Sequence, residues 1–186
     1  MALVNSDVQS VCVFCASSDA VDQKYKDLAT ELGELIAGQG LRLVYGGAQG
    51  GLMGAAADAA LAAGGEVYGV MPEILSNRER AHKNLTKLTI TKDMHERQQT
   101  MTDLADAFVI LPGGTGTLAE FFEILTWKQI GLHQKPIILV NMFGCWEPLL
   151  GMINTCLKQG FLHENPETLF SICDNIEDVQ AFFSSE

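Results

Sequence analysis

Short apolar runs alternate with amphipathic stretches from one end of this 186-residue chain to the other, and that alternation restricts its fold more than any other property. The runs at residues 11–16, 41–45, 66–70, 85–91, 107–111, 136–141 and 169–173 read as strands, several of them unbroken in apolar character, as in sheets covered on both faces. Between the first two, Val21, Tyr25, Leu28, Ala29, Leu32, Leu35 and Ile36 recur at helical spacing, and Gly38 and Gly40 close the segment. Strands that alternate with helices pair in parallel through right-handed crossovers. The expected architecture is therefore α/β: a Rossmann-like, doubly wound parallel sheet with helices on both faces, built as a single domain over residues 1–186. The alanine-rich run at 51–65 predicts a helix whose small side chains permit near approach to the sheet or to a second subunit.

In open parallel sheets, ligands bind beyond the carboxyl ends of the strands, where the strand order reverses. Three loops qualify: residues 15–20, 46–51 and 112–117. The last is the most informative. Residues 106–120 run from a buried strand (Ala107 to Leu111) through Pro-Gly-Gly-Thr-Gly-Thr into a helix that begins near Thr115 to Thr117. Unpaired N–H groups and the helix dipole favour an anion at such an end, a phosphate above all, and Glu120 follows one turn later. Thr117 and Glu120 also fit a capping box, in which both side chains merely satisfy backbone donors. Glu123, three residues further along the helix, and the unusual glycine approach favour the ligand site. A second helix opens at Met94-His-Glu-Arg97, and its arginine reads either as a surface ion pair or as a functional group. His95 reads as a solvent-facing or capping residue.

Composition removes several classes of function. A formal net charge of −11 and a pI near 4.7 argue against nucleic-acid binding, which relies on neutralising many phosphates. Six of the 12 Lys and Arg residues (Arg78, Arg80, Lys83, Lys87, Lys92 and Arg97) nevertheless lie between positions 78 and 97. They read as a solvated face or as local steering of a phosphorylated substrate. No apolar stretch is long enough to span a bilayer and the first residues lack a secretory pattern, so no membrane partner and a cytoplasmic location are expected. The five cysteines fall in mostly apolar surroundings, as reduced thiols do. Cys12 and Cys15 form a CxxC inside a strand and read as buried packing, with no second pair at zinc spacing.

Two nucleotide motifs are matched only in part. Residues 114–119 fit GxGxxA, but the following strand ends in Val140-Asn141, without the acid that would hold a ribose diol. Residues 46–51 have the glycine spacing of a P-loop but continue as Leu52-Met53 in place of Lys-Ser/Thr. No metal motif is present, so no metal site is expected.

Asp93-Met-His-Glu-Arg97, then residues 111–120, then Leu125-Thr-Trp127, together with Tyr45-Gly-Gly47, Gly51-Leu-Met-Gly54 and Gly69-Val-Met-Pro72, resemble the LONELY GUY family of cytokinin riboside 5′-monophosphate phosphoribohydrolases, often labelled lysine decarboxylase-like. The resemblance covers nearly the whole chain. It implies a Rossmann-like homodimer that cleaves the N-glycosidic bond of a purine nucleoside 5′-monophosphate to free base and ribose 5-phosphate, with no cofactor. It places the catalytic pair on Arg97 and Glu120. Substrate contacts fall on Glu79, Gly113, Gly114, Thr115, Gly116, Thr117 and Thr126, with Ser17, Gly46, Gly47, Met94, Gln98 and Glu123 assigned to the same binding surface. Two departures stand out: Gln98 replaces the family's usual lysine, and the first loop reads Cys-Ala-Ser-Ser-Asp-Ala where Cys-Gly-Ser-Ser and a later glycine are usual. A decarboxylase using pyridoxal phosphate would need a Schiff-base lysine, and neither Lys128 nor Lys135 has a motif for one. A non-catalytic nucleotide carrier on the same fold, and more remotely an NAD-dependent oxidoreductase, are the competing readings.

Overall fold

The computed structural model describes residues 8–76, 81–162 and 165–183. All seven expected strands form: β1 (Ser10–Phe14), β2 (Arg42–Tyr45), β3 (Val67–Pro72), β4 (Lys87–Thr91), β5 (Ala107–Ile110), β6 (Ile137–Val140) and β7 (Ser171–Cys173). They make one parallel sheet in the order β4-β3-β2-β1-β5-β6-β7. The chain winds outward from β1 to β4, then returns to the other side of β1 for β5, so the order reverses between β1 and β5. Register is fixed there by pairs such as Cys12 with Phe108 and Phe14 with Ile110.

The helices are α1 (Gln23–Gly38), α2 (Gly51–Ala62), α3 (Glu73–Ser76), α4 (Met94–Leu104), α5 (Thr115–Gln129), α6 (Glu147–Lys158) and α7 (Ile176–Phe183), with 3₁₀ turns at Met142–Gly144 and Pro166–Thr168. Two apolar layers sandwich the sheet. One gathers Val11, Val13, Leu43 and Tyr45 with Leu28, Leu32 and Ile36 of α1 and the small side chains of α2. The other gathers Cys12, Phe14, Phe108 and Ile110 with Met101 of α4, Phe121 and Ile124 of α5, and Ile153 of α6. Because β1 and β5 bury side chains on both faces, their sequences carry no polar alternation. Leu32 is fully buried, and its truncation to alanine would cost on the order of 2–5 kcal/mol. The alanines of α2 pack against α1 and the sheet rather than standing free. All five cysteines are unpaired, and Cys12 and Cys15 are buried, as packing residues are. Among the described residues, no helix is long and apolar enough to cross a membrane.

Candidate active site

The reversal of strand order opens a cleft of about 290 Å³ at the carboxyl edge of the sheet. One wall is the loop after β1, with Cys15, Ala16, Ser17 and Ser18; the other is the start of α5, from Gly114 to Thr117, and Glu120. Met53, Leu75, Met94 and Arg97 complete it. The two walls are joined by a hydrogen bond from the Ala16 amide to the Pro112 carbonyl, 3.1 Å.

Gly114 is the N-cap of α5, in extended backbone, and no side chain caps the helix. Thr117 is thus the third helical residue and not the cap, which removes the capping-box reading of Thr117 and Glu120. Its hydroxyl lies against Gly113, where any Cβ would collide with it, so a glycine is required at that position. Among the described residues, the amides of Thr115, Gly116 and Thr117 find no acceptor. First-turn N–H groups point outward along the helix axis, so these three border the cleft as donors of the kind an anion accepts.

Arg97 reaches the same cleft from α4. That helix is started by Asp93, whose carboxylate accepts from the Glu96 amide at 2.9 Å, while Glu96 accepts from the Lys92 amide at 2.8 Å. Arg97 is only 4% exposed. Its Nε donates to the Val70 carbonyl at 3.1 Å, and Nη1 donates to Glu120 Oε1 at 2.6 Å. Nη2 occupies the space that a side chain at Gly46 would fill. Both members of the pair are buried, so removing one would strand a charge, at a cost of about 3–5 kcal/mol. An acid–arginine pair held this way is poor economy for stability alone and a common arrangement for chemistry. Beneath it, burial first and the Glu120 carboxylate second push the Cys15 thiol up, and the same two causes lead for Cys12, so both stay protonated and inert.

The other anticipated residues divide. Ser17, Met94 and the stretch 114–117 line the cleft, Gly46 backs Arg97, and Gly47 follows it in the same turn. Gln98 is 2% exposed and does not line the cleft, and among the described residues its Nε2 has no hydrogen-bond partner. Glu123 lines a neighbouring hollow of about 310 Å³ with Lys92, His95 and Trp127; partial burial pushes its carboxyl up. Thr126 is exposed outside both. Glu79, with Arg78 and Arg80, falls outside the described residues. Met53 and Leu75 went unnoticed as lining residues, whereas Ser18 falls within the 15–20 loop; Met53 carried a signal, standing two residues after the 46–51 glycine turn. Among the described residues, no three His, Cys, Asp or Glu side chains group to hold a metal ion.

A family model described as "Possible lysine decarboxylase" matches residues 53–182. A cytokinin riboside 5′-monophosphate phosphoribohydrolase of Rhodococcoides fascians is 46% identical over 178 residues, spanning 95% of this chain and 90% of its own. One of the same name from Arabidopsis thaliana is 37% identical over 96% of this chain and 78% of its own. Among solved structures, the molybdenum cofactor binding protein of Rippkaea orientalis superposes with a TM-score of 0.70 at 21% identity, covering 95% of this chain and 98% of that one. The molybdenum cofactor carrier protein of Chlamydomonas reinhardtii does so with 0.68 at 22%, over 94% of each chain. At such identities the superpositions establish the fold alone.

Proposed function

The chain belongs to the LONELY GUY family of cytokinin riboside 5′-monophosphate phosphoribohydrolases, and from that premise we propose that it hydrolyses the N-glycosidic bond of a purine riboside 5′-monophosphate. The products are free base and ribose 5-phosphate. The observation that carries the site assignment is the buried 2.6 Å contact between Arg97 and Glu120 beside the uncapped start of α5.

Cleavage of the C1′–N9 bond leaves positive charge on the ribose and sends the bonding electron pair to the purine. A carboxylate next to C1′ stabilises the first charge and orients or deprotonates the water that adds there. Glu120 takes this role. Arg97 acts by holding the Glu120 carboxylate in place and by electrostatic placement of the substrate. The amides of 115–117, with Thr117, hold the 5′-phosphate, and this remote binding energy positions the reacting bond. The apolar side chains of Met53, Leu75 and Met94 line the remainder of the cleft for the base. Among the described residues, that lining contains no lysine, so it supplies no Schiff-base partner for a decarboxylase.

We place the enzyme in the cytoplasm and assign it a homodimer. Leu88 and Ile90 of the edge strand β4 and neighbouring Met94 are exposed, which fits a face that a second copy covers. A chromatographic assay with AMP and with its N6-isopentenyl derivative tests the activity and decides the base. Base and ribose 5-phosphate in equal amounts support the reading; tight nucleotide binding without either product supports a carrier instead.

A further inference from the structure

His82 has no part in the chemistry above, yet its side chain is only 2% exposed and both ring nitrogens are engaged. Nδ1 accepts from the Asn84 amide at 3.2 Å, which leaves the proton on Nε2, 2.9 Å from Oδ1 of Asp58 on α2. The ring thereby fastens residues 82–84 to α2, within the same apolar layer. The same residue's backbone continues the connection: its amide donates to the Gly47 carbonyl at 3.0 Å, and Ala81 bridges Ala48 in an antiparallel step. Gly47 is held in left-handed backbone with φ of 80°, and the peptide before it is the wall that the Arg97 guanidinium touches at Gly46. A continuous series of contacts thus runs from α2 through Asp58, His82 and Gly47 to the arginine of the catalytic pair.

We propose that His82 is a positioning residue for the reaction: its imidazole clamps the 46–48 turn in place and so sets Arg97, and with it the carboxylate of Glu120, at working distance. The inference rests on the function assigned to that pair. A loose wall lets the guanidinium shift toward the space at Gly46, and misplacement on the scale of an ångström is costly to a reacting geometry while leaving phosphate binding at α5 intact.

The test compares His82→Ala, His82→Gln, Asp58→Ala and Asp58→Asn with the unaltered enzyme, reading kcat and KM separately alongside melting temperature. Gln keeps a donor toward Asp58, and Asn at 58 keeps an acceptor toward Nε2. The expected result is a kcat lowered about tenfold in His82→Ala and several-fold in Asp58→Ala with KM within about twofold, and near-normal kcat in His82→Gln and Asp58→Asn. Asp58 is exposed, so its variants fold whatever happens at His82. Unchanged kcat in His82→Ala, equal loss in the Ala and Gln variants, or a rise in KM alone overturns the proposal. Failure of the unaltered enzyme to release any base would overturn the functional reading instead. The clamp is then decided by the crystal structure of His82→Ala: a displaced Arg97 guanidinium supports it, and an unmoved one overturns it.

Discussion

The turn after β2 and the turn after β5 both bring a glycine-rich helix start to the carboxyl edge of the sheet, within reach of one cleft. At α2 the protein fills the helix end itself: the Gly51 amide donates to the Asp19 carboxylate at 2.8 Å, and the amides of Leu52 and Met53 donate to the Ala16 carbonyl at 2.9 and 3.2 Å. A carboxylate already occupies the position an anion would take. At α5 the cap is a glycine without a side chain, and the corresponding amides are left to whatever enters the cleft. Two similar turns therefore do different work. One fastens the loop after β1 against α2 and so fixes the Ser17–Ser18 rim; the other is the anion seat we propose. The difference is made by the loop after β1, whose Ala16 carbonyl and Asp19 carboxylate belong to neither turn.

The largest expected effect breaks the comparison at its functional side. Glu120→Gln lowers base release by about three orders of magnitude, within the range of an acid–base or charge-stabilising carboxylate, while calorimetry still detects nucleotide binding. Turnover equal to that of the unaltered enzyme would remove Glu120 from the chemistry. Next in size, Gly113→Ala pushes Thr117 away and disturbs the seat; KM rises by about tenfold or more with a smaller change in kcat. A normal KM would mean the phosphate is held elsewhere. At the closed turn, Asp19→Ala removes a cap and lowers stability by about 1 kcal/mol in urea melts, with kcat within about twofold. If it raised KM as much as Gly113→Ala does, the two turns would not differ in the way described.

The smallest effect concerns the far end of α5. His133 Nε2 donates to the Ile124 carbonyl at 2.8 Å and Nδ1 accepts from the Lys135 amide at 3.1 Å, so the ring serves only when neutral. Burial, as the leading cause, lowers its folded pKa below the ordinary value near 6.5. Its contribution to stability is therefore complete above about pH 6.5, where both states are neutral, and is lost as pH falls through the folded pKa, because the unfolded chain takes up the proton first. Urea melts at neutral and mildly acidic pH should show this slope in the native sequence and a reduced slope in His133→Gln. Nucleotide affinity at the opposite end of the helix should not follow it.

Much of the fold was legible because it rests on periodicity. Strands buried on both faces read as apolar runs, and all seven stand where those runs place them, with ends displaced by one or two residues. The turn into α5 was legible too, since Pro-Gly-Gly-Thr-Gly-Thr leaves few backbone paths other than a tight turn into a helix. The capping-box alternative could be removed only by coordinates, because it depends on which residue begins α5 by a margin of three positions. Glu123 and Thr126 follow Glu120 by three and six residues, which turns them by about 60° and 120° around the helix and out of the cleft. Spacing alone places them on one helix without saying which hollow each enters. Gln98, one residue from Arg97, is turned by about 100° and is buried away from the cleft. The contacts that set Arg97 came least from the sequence: a carbonyl at Val70 and bare backbone at Gly46 offer no side chain to recognise.

The central claim is that α5, and not α2, receives the phosphate and presents C1′ to Glu120. A crystal structure of Glu120→Gln with a bound purine riboside 5′-monophosphate tests it most directly. The account predicts phosphate oxygens within hydrogen-bonding distance of the amides of residues 115–117 and the glycosidic carbon facing position 120 beside Arg97. Phosphate at the start of α2, or a ribose turned away from position 120, would contradict it.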